Sequence, residues 1–348
     1  MPYQTSDFAY PLPAEHIAQV PLPDRAASRL LLLERAGGVV QHRRFPDLLD
    51  LLTPADVLVL NTSRVIPARL RGNREAGGGK AGAPAEILVV RELQDGSWLV
   101  MGHPGGKLKP GRRVRFGDDS VVEILEVLGG GMRRVRFAGA LDARATLARY
   151  GAVPLPPYIR RPPTDADRER YQTVYAEHAG SVAAPTAGLH FTPELLARLA
   201  ATGVAIARLD LHIGPGTFKP VAGEELERHV MHDEAYTVSE EAALAINTRR
   251  AAGGQVWAVG TTVVRTLETL ADEAGRVRAG AGETRLFIHP PYRFRAVDRL
   301  LTNFHLPRST LLMLVCAFGG YEHVMAAYQE AVQEGYRFYS YGDAMAII

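Results

Sequence analysis

The sequence predicts an α/β protein: a mainly parallel or mixed sheet with flanking helices, plus an inserted small antiparallel β-barrel-like domain. From about residue 151 onward, apolar runs alternate with helix-like stretches that begin at Ser or Thr and end at Gly, a pattern typical of α/β folds. From 70 to about 140, short β-rich runs are separated by turn residues, as in a small barrel or sandwich. We therefore assign 1–60 and 151–348 to one discontinuous α/β domain and 61–150 to the insertion.

The first part of the chain contains a helix-like stretch at 45–52 and a buried strand at 56–60. Inside the insertion, Gly and charged residues separate five predicted strands, at 85–93, 97–101, 112–116, 121–128 and 133–137. In the last part, Thr192, Ser239 and Ser309 are predicted helix caps. The remaining predicted elements there are strands at 204–213, 255–259, 285–289 and 300–304 and helices at 263–271 and 322–334.

The composition is that of an ordinary globular protein, with 47% hydrophobic and 22% charged residues among 348. No apolar run approaches the ~18 residues of a membrane helix, and the N-terminus lacks the features of a secretory signal. The single cysteine, Cys316, excludes an internal disulfide and a cysteine-based zinc site, and its apolar surroundings predict a core position. We expect a cytoplasmic protein, and a monomer, because no heptad or long apolar stripe is present.

Positive charge is concentrated in the predicted insertion. Residues 61–150 hold 16 Lys and Arg against nine Asp and Glu, a surplus of seven, whereas the remainder has 24 basic and 29 acidic residues. This distribution indicates a polyanionic partner, although arginines that only solubilise the outer faces of strands would give the same count.

Four nearly uncharged segments rich in Gly, Pro, Ser and Thr stand out at 180–191, 211–218, 259–262 and 302–307. Small residues let the backbone approach a ligand closely. Three of the segments follow predicted strands, and ligands bind at the carboxyl ends of parallel strands. His212, Thr261 and His305 are therefore expected on one rim of the sheet, in an enzyme pocket.

The residue types in these segments suggest roles. Gly260-Thr-Thr262 joins a strand to a helix, where free N–H groups favour a carboxylate or phosphate, although a plain Thr cap has the same sequence. Histidines suit proton transfer near neutral pH, although each one taken singly is more often structural. His229 and His232 have a spacing that could suit a metal, but no carboxylate motif accompanies them, so we predict no metal site.

Arginines flank both junctions of the insertion, where forked guanidinium groups would suit phosphate. The segment 154–161 combines prolines, Tyr158, Arg160 and Arg161, which would suit an unpaired base and its phosphate. A stiff linker between domains would have a similar composition.

Several longer motifs together resemble the S-adenosylmethionine:tRNA ribosyltransferase-isomerases of queuosine synthesis. The resemblance covers essentially the whole chain, in order, at 61–69, 155–159, 171–175, 180–191, 211–218, 260–268, 302–307 and 340–345. It implies transfer and isomerisation of the ribosyl part of S-adenosylmethionine onto 7-aminomethyl-7-deazaguanine at the tRNA wobble position. Adenine and methionine would leave and epoxyqueuosine-tRNA would form, with S-adenosylmethionine as a consumed cosubstrate and no prosthetic group.

With that activity in mind, we expect each candidate residue to have one of three roles. Proton transfer is expected of His190 or His212, and His305 and Glu234 are further catalytic candidates. Cosubstrate binding is expected of Gly188, Gly214, Gly216, Thr217, Gly260, Thr261, Thr262 and Arg265. Contact with tRNA is expected of Arg64, Arg69, Tyr158, Arg160, Arg161 and Lys219.

Three alternatives from other classes remain open. One is a metal-dependent hydrolase built on His190, His212 and His232. Another is a non-catalytic RNA-binding module that uses the basic insertion. The third is a methyltransferase, which would release S-adenosylhomocysteine rather than adenine and methionine.

Overall fold

The fold is given by a computed structural model that describes residues 3–76, 81–214, 216, 221 and 223–348. The strands, in chain order, are β1 (Arg29–Leu33), β2 (Val40–Arg44), β3 (Val57–Asn61), β4 (Ser63–Val65), β5 (Arg69–Glu75), β6 (Ala81–Glu92), β7 (Trp98–His103), β8 (Arg113–Phe116), β9 (Ser120–Val127), β10 (Met132–Phe137), β11 (Gly151–Ala152), β12 (His178–Ser181), β13 (Ala205–Leu211), β14 (Glu234–Val238), β15 (Val256–Val259), β16 (Gly280–Thr284), β17 (Arg299–Asn303) and β18 (Ala344–Ile347). The α-helices are α1 (Ala143–Tyr150), α2 (Asp165–Arg170), α3 (Pro193–Ala201), α4 (Glu240–Ala251), α5 (Thr261–Leu270), α6 (Thr310–Gly319) and α7 (Tyr321–Gln333).

The main sheet of the described residues has nine strands in the order β16-β14-β13-β3-β15-β17-β18-β1-β2. Its central strands β13, β3, β15 and β17 are mutually parallel. The pairs β13–β14, β14–β16, β17–β18 and β1–β2 are antiparallel, and β18 and β1 are parallel to each other. The sheet is therefore mixed, as the sequence predicts. The loops that follow β13, β15 and β17 meet at one edge because those strands point the same way.

Helices cover both faces of this sheet. Alternate residues along β3 belong to different cores: Val57 and Val59 pack with α4 to α7, whereas Leu58 and Leu60 pack with α3. The period of two in a strand produces this division. The predicted caps hold, since the side chains of Thr192, Ser239 and Ser309 each accept a backbone N–H from the first turn of α3, α4 and α6.

The basic insertion folds as a six-stranded antiparallel barrel. Its strands follow the order β5-β6-β7-β10-β9-β8, and β5 pairs with β8 to close it. The interior is filled by apolar side chains, and Leu147 of α1 packs against them. The fold class predicted from the sequence is confirmed, while the domain boundaries at 61 and 150 stay a prediction.

The predicted strand at 285–289 is wrong. The preceding segment, Gly280–Thr284, forms β16 instead. At the end of β16 and just after it, the backbone accepts hydrogen bonds from a side chain. The guanidinium of Arg265 donates to the carbonyl oxygens of Thr284, at 3.4 Å, and Leu286, at 3.0 Å. An apolar run is thus held by a buried arginine rather than by a neighbouring strand.

No single helix of the described segments is long and apolar enough to cross a membrane. Helices α6 and α7 together have sufficient length and apolar character, but they are bent by 115° where they join. Cys316, in α6, is buried, as the sequence predicts.

Candidate active site

A cleft lies at the carboxyl ends of the central parallel strands. It encloses about 650 Å³, part of it open to solvent. Parts of the segments 180–191, 259–262 and 302–307 line it together, as the sequence predicts, and the 211–218 segment contributes Ile213. The lining residues are Tyr158, 183–187, Ile213, 260–262, 302–306, Ser309, Leu311, Tyr339 and Ser340.

One wall of the cleft is aromatic. The rings of Tyr158 and Tyr339 lie 4.6 Å apart between centroids, and the Tyr158 hydroxyl lies 2.7 Å from Ser340 Oγ. Tyr339 has a φ of 71°, unusual for a bulky residue. Its N–H donates to the Phe304 carbonyl at 3.2 Å and its own carbonyl accepts from Asn303 Nδ2 at 3.1 Å. Tyr158 is predicted from the sequence, whereas Tyr339 is not, because the position of Tyr339 depends on these contacts with residues far away in the chain.

Helix α5 begins at the cleft wall. Gly260, at its N-terminus, has a φ of 91°, a conformation that glycine adopts without strain, and no side chain caps the helix there. Asn61, at the end of β3, donates to Thr262 Oγ1 at 3.2 Å and to the Leu211 carbonyl at 3.0 Å, which ties the neighbouring loops together. The uncapped first turn, with Thr261 beside it, suits an anionic ligand group.

His305 is the predicted catalytic histidine that lines this cleft. Its Nε2 lies 2.8 Å from Thr302 Oγ1, and its backbone N–H donates to the Tyr328 hydroxyl at 3.1 Å. Burial lowers the pKa of His305 to about 3. The imidazole is therefore neutral across the physiological range and can accept or donate a hydrogen bond in the cleft.

His190 lies behind the cleft wall and is only 3% exposed. The Tyr339 carbonyl can only accept, so the amide nitrogen of Asn303 must face it, and that nitrogen also donates to His190 Nε2 at 3.1 Å. His190 Nδ1 then carries the ring proton and donates to Ser28 Oγ at 2.7 Å. Burial, followed by the charges of Arg25 and Arg337, lowers the pKa of His190 to about 3. The geometry is that of a structural histidine, and a catalytic role for it gains no support here.

His212 faces a different space, a groove of about 1290 Å³ between the barrel and the main sheet. Its ring packs on Gly180, where a Cβ atom would lie 2.8 Å from Cε1 and Nδ1. Burial lowers the pKa of His212, although the Asp210 carboxylate opposes this effect. Ile213 lines both the groove and the cleft, so the two spaces are adjacent, but His212 itself lies outside the cleft.

Glu234 and Arg265 form a buried ion pair, with each side chain 5% exposed. Glu234 Oε1 also accepts the Gly214 N–H at 3.0 Å, so this carboxylate holds a glycine of the 211–218 segment in place. Neither side chain lines the cleft. The contacts indicate a structural role for both, and their predicted chemical roles remain untested.

The predicted cosubstrate glycines differ in position. Gly188 packs against the Tyr175 hydroxyl, 2.0 Å from where a Cβ atom would be, so close packing requires glycine there. A Cβ atom on Gly216 would come 2.3 Å from His232 Cδ2. Gly188, Gly214 and Gly216 are absent from the cleft wall, whereas Gly260 is part of it. Thr217 and Lys219 lie outside the described residues.

Among the predicted tRNA-contacting arginines, Arg64 and Arg160 are exposed. Arg69 donates to the Leu155 carbonyl and pairs with Glu86, and Arg161 makes a bidentate pair with Asp167 at 2.7 and 2.8 Å. The latter two therefore brace the segment 154–161, and Arg64 and Arg160 are the better placed for an external ligand.

The histidines of the hydrolase alternative have separate surroundings: His190 contacts Ser28, His212 packs on Gly180, and His232 lies beside Gly216. Within the described segments, no three His, Cys, Asp or Glu side chains are grouped closely enough to hold a metal ion. The geometry therefore gives the hydrolase alternative no support.

Comparisons with known proteins agree with this architecture. The family model described as "Queuosine biosynthesis protein" matches residues 5–347. A protein from Symbiobacterium thermophilum named S-adenosylmethionine:tRNA ribosyltransferase-isomerase is 53% identical over 346 residues, 99% of each chain. One of the same name from an Anaeromyxobacter species is 54% identical over 347 residues, 98% of each.

A solved structure extends the similarity to the fold. The crystal structure of S-adenosylmethionine tRNA ribosyltransferase from Thermotoga maritima is 38% identical, with a TM-score of 0.56 over 99% of this chain and 100% of that one. The chain therefore belongs to the queuosine biosynthesis family, the enzymes named S-adenosylmethionine:tRNA ribosyltransferase-isomerases.

Proposed function

We propose that this enzyme transfers and isomerises the ribosyl part of S-adenosylmethionine onto 7-aminomethyl-7-deazaguanine at the wobble position of tRNA. Adenine and methionine leave, and epoxyqueuosine-tRNA is the product. Family membership supports the reaction class. The observation that carries the proposal is the single cleft, in which an aromatic wall, an uncapped helix N-terminus and a neutral imidazole occur together.

The cleft suits a nucleoside. Small side chains from 183 to 187 form much of one wall, which lets a ligand approach the backbone closely. The faces of Tyr158 and Tyr339 offer a stacking surface for a purine or deazapurine. The first turn of α5 offers N–H donors and the positive end of the helix dipole to the carboxylate of the methionine part.

His305 is our candidate for proton transfer. The sulfonium acidifies the neighbouring C5′–H of the ribosyl part, and a neutral imidazole can accept that proton. The Thr302 hydroxyl, 2.8 Å from Nε2, fixes the ring, which leaves Nδ1 for the substrate. The low pKa of about 3 makes His305 a weak base, so its role depends on close positioning in a site that excludes water.

The barrel offers a surface for tRNA. A hollow of about 820 Å³ on it is bordered by Arg74, Lys107, Lys109 and Arg112. The acid beside them, Glu75, already pairs with Arg113 and Arg115. Such a patch would attract a phosphate backbone, and the groove beside His212 connects the barrel to the cleft.

The test is incubation with S-adenosylmethionine and tRNA that carries the precursor base, with adenine, methionine and the product nucleoside followed by mass spectrometry. We expect adenine release from the wild type and from the matched control His103→Gln, an exposed barrel residue. For His305→Gln we expect a loss of about 10²–10⁴-fold.

Each alternative predicts a different result. S-adenosylhomocysteine in place of adenine would indicate a methyltransferase. Binding of tRNA without adenine release would indicate an RNA-binding module. Normal turnover by His305→Gln would remove His305 from the proton transfer while leaving the overall reaction in place.

A further inference from the structure

A second cavity lies behind the cleft and is bordered by arginines. It encloses about 280 Å³, and Ser340 lines both spaces. Arg25, Arg170 and His190 form part of its wall. Arg337 lies close by, since its charge, like that of Arg25, acts on the buried imidazole of His190.

No carboxylate of the described residues forms an ion pair with these three arginines, although the charges of Glu169 and Asp343 partly oppose the lowering of the pKa of Arg25 and Arg337 by burial. Within the described part of the chain, their side chains donate only to backbone carbonyls: Arg25 to Leu189 and Glu169, Arg170 to Leu22 and Pro23, and Arg337 to Val20. Each guanidinium has five N–H groups, so most of its donors are unused. The nearby Arg161 is different, because Asp167 binds it at two positions.

The arrangement concentrates positive charge in a partly buried place. Burial, and next the charge of Arg170, lower the pKa of Arg25. The neighbouring carboxylate Asp343 is engaged by the backbone N–H groups of Arg29, at 2.9 Å, and Arg337, at 2.8 Å. An external anion would relieve the repulsion between the guanidinium groups and satisfy their free donors.

The size and position of the cavity indicate which anion would bind. A small space that is partly open to solvent suits a single anionic group better than a whole nucleotide. Three guanidinium groups match the several oxygen atoms of a phosphate. Because Ser340 lines both spaces, a phosphate held in this cavity would lie next to a nucleotide whose base enters the cleft.

We propose that Arg25, Arg170 and Arg337 bind a backbone phosphate of the tRNA, next to the nucleotide whose base enters the cleft. This inference rests on the proposed function. The three arginines thereby hold the anticodon strand so that the target base stays in the cleft while the ribosyl group is transferred.

The test measures the affinity for precursor tRNA as a function of KCl concentration. The variants are Arg25→Gln, Arg170→Gln and Arg337→Gln, and the control is Arg249→Gln. Arg249 also donates to a backbone carbonyl, that of Pro54 at 2.6 Å, but it lies near the amino end of β3, opposite the cleft. For the variant with all three changes we expect the magnitude of the slope of log K against log[KCl] to fall by about 0.7, the value for one contact to single-stranded phosphate, and for each single variant we expect a smaller fall.

The slope does not depend on how much of a preparation is folded, so a partly unfolded variant still gives an answer. Arg170→Lys keeps the charge and is expected to restore most of the slope. The KM for S-adenosylmethionine is expected to stay within about twofold of the wild-type value, because the arginines contact tRNA only.

Two results would overturn the inference. One is an unchanged salt slope in the variant with all three changes. The other is a raised KM for S-adenosylmethionine with normal tRNA affinity, which would assign the anion to the cosubstrate. A wild-type enzyme that neither binds tRNA nor releases adenine would instead contradict the proposed function, and the two failures are thus distinguishable.

Discussion

The buried ion pair between Glu234 and Arg265 allows a test of whether Glu234 is a catalytic or a structural residue. Glu234 is a predicted catalytic residue, yet its carboxylate is buried against Arg265 and the Gly214 N–H. Glu234→Gln keeps an acceptor for Gly214 but removes the negative charge beside Arg265, whose other acceptors among the described residues are the Leu286 and Thr284 carbonyls. We therefore expect a loss of stability rather than of chemistry.

The magnitude follows from burial. Removing one partner of a buried pair costs about 3–5 kcal/mol, because the other charge is left uncompensated. Unfolding entropy is about 2.1 cal/mol/K per residue, so a cooperative chain of 348 residues would lose about 4–7 °C in Tm. The control Glu283→Gln breaks an exposed pair with Arg91, whose side chains are 51% and 46% exposed, and should change Tm by no more than about 1 °C.

Scanning calorimetry and steady-state kinetics at 25 °C measure the two effects separately. We expect Glu234→Gln to have a lowered Tm and a kcat within about tenfold of the wild type. A variant with normal Tm and turnover reduced by more than about 100-fold would refute the structural reading and restore Glu234 as a catalytic residue.

Further predictions concern pH and packing. Burial lowers the pKa values of His190 and His305 to about 3, below the unfolded value near 6.5, so the unfolded state binds more protons between these limits. Chemical denaturation should therefore show that the free energy of unfolding falls as the pH drops from about 6.5 toward 3. The two histidines together contribute up to about 2.7 kcal/mol per pH unit to this fall. A His190→Asn variant should depend less steeply on pH, because one of the two groups is removed. The pH profile of kcat/KM should show no inflection from His305 between pH 5 and 8, and a loss of activity that titrates near 6.5 and disappears in His305→Gln would contradict this. Gly188→Ala should destabilise by about 1–3 kcal/mol, because the new methyl group would meet the Tyr175 hydroxyl, whereas Gly106→Ala, with no atom within 4 Å, should be nearly neutral; equal Tm values for the two variants would show that the site relaxes freely.

Local signals in the sequence predicted much of the secondary structure. Thr192, Ser239 and Ser309 cap helices where the sequence places them, because a cap depends on residues only three positions away. Strands β1, β2 and β18, at one side of the main sheet, were not predicted. The pairing of β1 with β18 joins the two ends of the chain, and a local pattern does not reveal it. The strand predicted at 285–289 is wrong because the side chain of Arg265, which is distant in the sequence, donates a hydrogen bond to the backbone there.

In the candidate site, too, some features could be predicted from the sequence and others could not. The small residues at 183–187, 260–262 and 302–306 were recognisable because close approach of backbone requires them, and the parallel order of β13, β15 and β17 brings them together. The role of a single histidine was not recognisable. His190 and His305 have similar sequence surroundings, but one bonds Asn303 behind the wall and the other lines the cleft.

Neighbouring residues and composition are enough to predict most of the helices and strands, the β-rich stretch with its surplus of positive charge, and the small-residue loops at the ends of the strands. They do not predict which polar side chains lie at the cleft and which are buried in hydrogen bonds to one another. The reason is physical: the availability of an imidazole, a carboxylate or a guanidinium depends on partners that are far away in the chain and meet only when the sheet has formed.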